Sequence, residues 1–410
     1  MTNPYRALLA TPGARSFAAA GFVMRLPIAM LTLGIVLLVV ATTGSYAVAG
    51  AVAATFSLVQ ALISPFVARL VDRHGQTRVM VPALGVHLVG MSGLLVGAVG
   101  RAPTWVLFLC AAVAAASFVP VTALVRARWA YLVGGRGLLH AAYSFEAVVD
   151  EFIFIVGPVV VTLLATQVAP AAGLIVALAC SVVGTLALAP QRRTEPPASP
   201  PAGRGHRSSA LRVPGLWVLT LAFVGFGGVF GSTEVVVVAF TAERRQPATA
   251  ALVLALIAAG SMVSGVAYGV VRGRSRLDQR FRASCVGLGV ALAILPFVSR
   301  VPVLAIAVFV AGLAISPSII SAFGLIEALV PSSVLTEGLT WATTGIGVGI
   351  AAGSLLAGAI VDAQGAQVAF VVTACSGLTA AGVALAGGRW LRAPPRPTPA
   401  PEPVTQEPHQ

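Results

Sequence analysis

The chain has 410 residues, of which 58% are hydrophobic and only 10% are charged, and its mean hydropathy is +0.94. Soluble domains carry about 25% charged residues, so this composition excludes an ordinary soluble protein and predicts a polytopic membrane protein. The formal net charge is +13, but the basic residues are arginines scattered over short loops, which argues against a nucleic-acid-binding patch.

Apolar stretches long enough to cross a bilayer as helices recur along the whole sequence. We predict twelve spans, at residues 16–41, 46–68, 79–100, 103–126, 141–167, 169–189, 214–241, 247–271, 281–299, 301–325, 336–361 and 366–388. Residues 190–213 are rich in Pro and Arg, which predicts a flexible basic linker. Residues 393–410 form a Pro-rich tail with too few apolar residues to fold.

The linker divides the chain into two halves of six spans, residues 1–189 and 214–392. Three residues of the first half have counterparts about 197 positions later: Gly75 and Gly273, Pro120 and Pro317, Gly157 and Gly353. A repeat of this kind indicates a duplicated six-helix unit. The predicted fold is therefore an all-α membrane protein with twelve transmembrane helices in two pseudo-symmetric bundles.

The distribution of arginine predicts the orientation. If the N-terminus is cytoplasmic, 21 arginines lie in inside loops, linker and tail, four lie outside, and one, Arg25, lies within a span. Both termini and the linker are therefore expected in the cytoplasm. The lack of lysine and the excess of Ala, Val and Gly suggest a bacterial genome, and hence a bacterial cytoplasmic membrane.

The short charged turn after the second span reads Ala-Arg-Leu-Val-Asp-Arg-His-Gly-Gln-Thr-Arg from Ala68 to Arg78. It resembles the signature loop of the major facilitator superfamily, and the residues that match are Leu70, Asp72, Arg73, Gly75 and Arg78. Ala68 replaces the usual first glycine, and Gln76-Thr77 stands where arginine is usual. The resemblance implies two bundles that rock around a central cavity, carrying a small molecule across the membrane by alternating access.

The same resemblance implies a gate at this loop. In the family, the aspartate meets the N-terminal end of the eleventh helix and basic residues near the fourth, which Arg126 or Arg128 would supply here. An acidic group at that position is favourable because helix N-termini carry partial positive charge. We therefore expect Asp72, Arg73, Gly75, Arg78, Arg126 and Arg128 to close the inner face.

The fifth span carries three carboxylates within six residues, Glu146, Asp150 and Glu151. Each charge in mid-membrane costs roughly 2.5–3.5 kcal/mol on insertion scales, so these groups need a partner or a water-filled cavity. Arg25 of the first span lies at a similar depth, about 13 Å from the inner end at 1.5 Å per residue. We hypothesise an Arg25–Asp150/Glu151 pair with one carboxylate free to take a proton.

Two interpretations of these charges stay open. They contact substrate or couple transport to protons, or they form a structural ion-pair network that closes the inner gate. Glu234, late in the seventh span, also has two interpretations, a substrate contact and a solvated helix end. His87 is expected to make a hydrogen bond between helices.

Small residues mark further positions. Gly157-Pro158 resembles the core of the fifth-helix motif of family antiporters and is expected to kink the helix, although Val161-Thr162 replaces its usual glycine pair. Stripes of glycine at four-residue spacing allow close helix packing. In the resembled family, the eighth and eleventh helices pack across the interface between the halves, against the fifth and the second, so the resemblance implies that the stripes lie there. Their members are Gly265 and Gly269 in the eighth span and Gly345, Gly349 and Gly353 in the eleventh.

No motif for an enzyme, a metal or a cofactor was found. The four cysteines each lie inside an apolar span without disulfide or metal spacing, and there is no Gly-Lys-Ser/Thr phosphate-binding loop. The first apolar run is too long for a signal peptide. We therefore predict a monomeric, proton-coupled exporter of a small organic compound that needs no cofactor. The alternatives are a proton-coupled importer or facilitator of a metabolite, and a membrane sensor that does not transport.

Overall fold

A computed structural model describes residues 4–133, 138–198, 210–270, 276–331 and 335–392. All secondary structure within these ranges is helical. When consecutive helices of one span are counted together, eleven described segments are long and apolar enough to cross a membrane, and Ala172–Leu188 is a shorter apolar helix of 17 residues. Together they correspond in order to the twelve predicted spans.

The helices are named in chain order, and two of the spans are each made of two consecutive helices. A short helix, α1, covers Pro4–Leu9. The others are α2 Ala14–Thr43, α3 Tyr46–His74, α4 Gln76–Val99, α5 Thr104–Ala116, α6 Val121–Val133, α7 Leu139–Gln167, α8 Ala172–Leu188, α9 Pro214–Glu243, α10 Thr249–Val270, α11 Leu277–Ala293, α12 Val301–Gly312, α13 Ile315–Leu329, α14 Leu335–Gln364 and α15 Ala366–Ala386.

The spans cross the bundle in alternating directions. We call the side where α2 begins and α3 ends the termini face, and the side where α2 ends and α3 begins the far face. The turn between α3 and α4 therefore lies at the termini face, and the turn between α14 and α15 at the far face. In the described ranges, three short 3₁₀ segments lie outside these helices, at Arg192–Thr194, Ala210–Arg212 and Leu295–Phe297.

The fourth and tenth spans are interrupted within the membrane, which the sequence analysis did not predict. Residues 117–120 separate α5 from α6, and residues 313–314 separate α12 from α13. The first break ends at Pro120, which has no N–H for a helical hydrogen bond. Nδ1 of His87 donates to the carbonyl of Ala114, at 2.8 Å, so the predicted helix–helix hydrogen bond forms beside this break.

Within each half, most packing is local. α2 packs mainly on α8 and α7, and α9 packs mainly on α14 and α15. Between the halves, α3 packs on α14 and α7 packs on α10, which are the pairings expected for the second with the eleventh span and the fifth with the eighth. These two contacts hold the halves together.

The expected location of the α14 glycine stripe was wrong. Gly345, Gly349 and Gly353 face backbone atoms of Thr220, Val224 and Gly228 in α9, which belongs to the same half. Other small residues of α14 contact α3 of the first half: Gly347 faces Ala61, and Gly358 faces Tyr46. The sequence spacing identified a close helix packing but not the neighbour, because α14 presents small residues on two faces.

Candidate functional site

A cluster of charges lies inside the first half, where α2, α6 and α7 meet. Nη1 of Arg25 is 2.5 Å from Oε2 of Glu146 and 2.9 Å from Oδ1 of Asp150. The side chains of Arg25 and Glu146 are completely inaccessible to solvent, and that of Asp150 is 23% exposed. One arginine therefore pairs with two carboxylates that lie one turn apart on α7.

Neighbouring polar groups complete this cluster. The indole Nε1 of Trp129 donates to Oε1 of Glu146 at 2.6 Å, and Nη2 of Arg126 contacts Oδ2 of Asp150 at 3.1 Å. Nε of Arg25 donates to the carbonyl of Gly21 at 3.2 Å. With two guanidinium groups and two carboxylates, the cluster is formally neutral, which is the condition under which buried charges are tolerated.

Part of the hypothesised pairing is present. Arg25 contacts Asp150 as expected, but its second partner is Glu146 instead of Glu151. The side chain of Glu151 is half-buried and lies near the hydroxyl of Ser316 in the second half. The side chain therefore reaches across the contact between the halves, and it is not paired with an arginine among the described residues.

The structure does not bring the predicted gating residues together. Asp72, Arg73 and Arg78 are exposed, and Asp72 makes no hydrogen bond or ion pair with any residue that the structure describes. Arg126 binds Asp150 instead. The residues just before α14, 332–334, lie outside the described part of the chain. The expectation that Arg126 or Arg128 would meet Asp72 is therefore wrong for the state seen here.

Arg128 is buried and binds the beginning of the linker. Its Nη1 donates to the carbonyl of Gln191 at 3.0 Å and to Oγ1 of Thr194 at 2.8 Å, and its Nε donates to Oε1 of Gln76 at 2.8 Å. These bonds join the termini-face ends of α4 and α6 to residues 191–194. The first linker residues are thus fixed to the first half.

Glu195 caps the N-terminus of α4. Oε1 accepts a hydrogen bond from the Thr77 N–H at 3.0 Å, and Oε2 accepts one from the Thr77 hydroxyl at 2.8 Å. The turn that precedes the cap is made by Gly75, whose φ of 88° is a conformation that favours glycine. This residue was predicted as part of the loop motif, and its conformation explains why glycine is needed.

We expect Glu195→Ala to weaken the start of α4, since loss of an N-terminal cap costs about 0.5–2 kcal/mol. Hydrogen exchange of the amides near Thr77 should become faster, whereas exchange in the middle of α4 should not change. Glu195→Gln, which retains one acceptor oxygen, should show a smaller effect. Unchanged exchange near Thr77 in Glu195→Ala would contradict the assignment.

Glu234 lies within α9, nine positions before its end at Glu243, so it is about 14 Å from the far-face end of the helix. Oε2 of Glu234 is buried and has no hydrogen-bond partner among the described residues. The expected alternative of a solvated helix end is therefore wrong. Gly227, Gly231 and Glu234 follow one helix face, and Gly231 faces Ile350 and Ser354 of α14.

A second polar group without a partner lies beside the same helix face. The hydroxyl of Ser354 faces Gly231, one turn from Glu234, and is buried without a hydrogen-bond partner in the described structure. The carbonyl of Ser354 faces Gly50 of α3. The polar groups around Glu234 therefore lie where α9 and α14 of the second half meet α3 of the first.

The remaining predicted positions serve helix packing. Gly157 faces Ala29 of α2, and α7 continues through Pro158 without interruption. Gly265 faces Ser316 of α13 rather than the first half. Gly269 lies in α10, but its surroundings are outside the described part of the structure.

Sequence reasoning missed Trp129, Glu195, Ser316 and Asp362 as contact residues. The contact of Trp129 could have been predicted from the sequence. Trp129 lies in the fourth span, the next span carries the carboxylates, and a buried indole N–H needs an acceptor. Asp362 is exposed near the end of its helix, and it also accepts hydrogen bonds from Ser45, Tyr46 and Ala47 of the other half.

The bundle of apolar membrane spans, with a charge cluster inside its first half, is the architecture of a polytopic membrane protein. Sequence comparison agrees, because the profile of the Major Facilitator Superfamily matches residues 17–293 and 247–410. The chain belongs to this superfamily. No curated protein matches it in sequence.

Solved structures of transporters show the same fold. The nucleoside transporter NupG is 14% identical, with a TM-score of 0.70 over 93% of this chain and 99% of its own. An auto-inhibited POT family peptide transporter is 12% identical, with a TM-score of 0.74 over 94% and 98%. A bacterial homologue of the iron transporter ferroportin, in an inward-facing state, is 18% identical, with a TM-score of 0.62 over 95% and 98%.

Proposed function

We propose that this protein is a proton-coupled secondary transporter that exports a small organic compound by alternating access. The observation that carries the proton coupling is the buried, unpartnered oxygen of Glu234. An ionised carboxylate costs several kcal/mol when it is buried without a partner. Such a group favours a bound proton when enclosed and releases it when water reaches it, which is the behaviour that coupling requires.

The paired carboxylates of α7 are less suited to this role. Glu146 and Asp150 share Arg25, and an adjacent positive charge stabilises the ionised form of a carboxylate. We therefore assign Arg25, Glu146 and Asp150 to a structural brace between α2 and α7. Glu151, which has no arginine partner among the described residues and lies near Ser316, is the second candidate for proton binding.

The proposed direction of transport and the proposed class of cargo are argued from the amino-acid sequence. Gly157-Pro158 resembles the motif of family antiporters, which supports export. The scarcity of polar and aromatic residues in the spans supports an apolar or amphipathic cargo. The arginine distribution supports a bacterial cytoplasmic membrane with both termini and the linker inside. The two halves, residues 1–189 and 214–392, would rock about the contacts of α3 with α14 and α7 with α10, and the protein would act as a monomer.

The test measures proton movement in vesicles that contain the purified protein. A panel of amphipathic compounds and metabolites is added to wild type, Glu234→Gln and a control, Glu327→Gln, which neutralises an exposed carboxylate. We expect a compound-dependent proton flux in wild type and control, and none in Glu234→Gln. The Glu234→Gln variant should still exchange the labelled compound across the membrane, because exchange needs no net proton transfer.

Two outcomes would contradict the proposal. Compound movement without proton flux in wild type would indicate a facilitator or another coupling ion. An unchanged proton flux in Glu234→Gln would exclude this residue, and Glu151→Gln would then be measured in the same assay. Vesicles with a known orientation of the protein report whether the compound moves away from the termini face, as export requires.

A further inference from the structure

Two turns at opposite faces of the bundle have the same sequence pattern and the same shape. The last turn of α3 contains Val71-Asp72, and Gly75 follows three residues after the aspartate. The last turn of α14 contains Val361-Asp362, and Gly365 follows at the same spacing. The glycines have φ of 88° and 87° and ψ of 155° and 166°. In each case the next residue begins the following helix.

A carboxylate from another segment caps the helix that follows each turn. Glu195 accepts from the Thr77 N–H at the start of α4, at 3.0 Å, and Glu243 accepts from the Ala366 N–H at the start of α15, at 2.7 Å. Each of these caps stays within one half of the protein. The two turns are therefore equivalent in local structure, one at the termini face and one at the far face.

The aspartates of the two turns differ in their contacts. Asp362 reaches from α14 to the N-terminus of α3 in the other half: Oδ1 accepts from the Tyr46 N–H at 2.8 Å, and Oδ2 accepts from the Ala47 N–H at 2.8 Å and the Ser45 hydroxyl at 2.6 Å. The first N–H groups of a helix have no partner within it, and a negative charge there is favourable.

Close backbone packing continues from this contact into the membrane. Gly358 lies against the carbonyl of Tyr46, and Gly50 lies against the carbonyl of Ser354. The buried residues of α3 are concentrated between Ala49 and Ser57, and Val71 is the one buried residue in the remainder of the helix. The halves are thus closely packed at the far face. Asp72 and Asp362 are both exposed, but among the described residues only Asp362 makes hydrogen bonds to the other half.

We propose that Asp362 is the far-face gate residue of this transporter. Its three hydrogen bonds to the start of α3 hold the far face closed in the state seen here. When the far face opens, these bonds break. The resemblance of the Ala68–Arg78 turn to the family loop implies that Asp72 then meets the start of α14 at the termini face. The two halves thus exchange one aspartate cap for the other. This inference does not depend on the direction of transport, the coupling ion or the role of Glu234.

The test measures the separation of the halves at each face in the full-length protein, with the four native cysteines replaced by alanine. Spin labels at Arg101→Cys and Arg300→Cys, both exposed at the far face, report the far-face distance. Labels at Arg193→Cys and Arg389→Cys, both exposed, report the termini face. We expect Asp362→Ala to increase the population with a long far-face distance by about tenfold, as charge-assisted hydrogen bonds are lost.

The same variant should shorten the termini-face distance in that population. Glu243→Gln is the matched control, because the hydrogen bond that it weakens, from the Ala366 N–H, lies within the second half, and it should leave both distances unchanged. Asp72→Asn should not open the far face. If Asp362→Ala gives the wild-type distances, or if Glu243→Gln opens the far face equally, the proposal is wrong.

Two milder variants keep the test decisive if Asp362→Ala does not fold. Asp362→Asn retains the side-chain shape and one acceptor oxygen. Ser45→Ala removes the hydrogen bond to Oδ2, together with the cap bond that the hydroxyl accepts from the Val48 N–H. Both should shift the far-face distances in the same direction as Asp362→Ala, but less. Wild-type distances in both variants would show that Asp362 is a static helix cap.

Discussion

Arg25→Met is expected to destabilise the protein by about 3–5 kcal/mol, the usual cost of removing one partner from a buried ion pair. Methionine fills a similar space but leaves Glu146 without its cation, in a position that solvent does not reach. The remaining bond from Trp129 cannot offset the buried negative charge. The melting temperature of the purified protein in detergent should fall sharply, and the yield of folded protein should fall with it.

Two further variants separate this explanation from a simple loss of packing. Arg126→Gln removes a cation that is 47% exposed, and exposed ion pairs contribute about 0–1 kcal/mol, so its melting temperature should change little. Arg25→Met combined with Glu146→Gln should recover part of the lost stability, because the neutral amide can still accept from Trp129. A double variant as unstable as Arg25→Met would show that packing of the arginine, rather than charge pairing, dominates.

The membrane spans could be predicted from the sequence because their signal is local. An uninterrupted apolar run fixes a helix wherever water is excluded, since only a helix satisfies its own backbone there. The interruption of the fourth span at Pro120 was missed because a proline alone does not show where a membrane helix breaks: Pro27 and Pro158 lie inside continuous helices. The bonds freed at 117–120 depend on neighbours such as His87, which a single sequence does not locate.

The candidate site was predicted less completely, for a different reason. Arg25 and Asp150 could be paired from their depths alone, because depth along a membrane helix follows from residue number. The choice between Glu146 and Glu151 depends on the rotation of α7 about its axis, which neighbouring helices determine. Likewise, the contact of Asp362 with α3 joins residues that are 316 apart in the chain. The repeated Val-Asp pattern before Gly75 and Gly365 is the sequence feature that singles out Asp362 as a counterpart of Asp72.

The packing of α9 against α14 leads to the second large effect. At Gly349, an added Cβ would lie 2.8 Å from the Gly228 nitrogen and 2.9 Å from the Gly227 Cα, and it would also collide with the Val224 carbonyl. These are backbone atoms, so no side chain can turn away to make room. Gly349→Ala should therefore force the two helices apart, at a cost of about 1–3 kcal/mol, and Gly349→Val should cost more.

The matched control for this prediction is Gly382→Ala, because Gly382 lies in α15 and no atom lies within 4 Å of its added Cβ. Both variants gain the same helix propensity, about 1 kcal/mol for alanine over glycine, so their difference in melting temperature isolates the packing cost. Equal melting temperatures would contradict the close approach of α9 and α14. Because apolar burial drives helix association little inside a membrane, van der Waals contact must supply most of the adhesion.

Separation of these helices would also widen the space beside Gly231, where Glu234 and Ser354 lie. Gly349→Ala should therefore admit water to both groups, and a faster reaction of a Ser354→Cys thiol with a water-soluble reagent would report it.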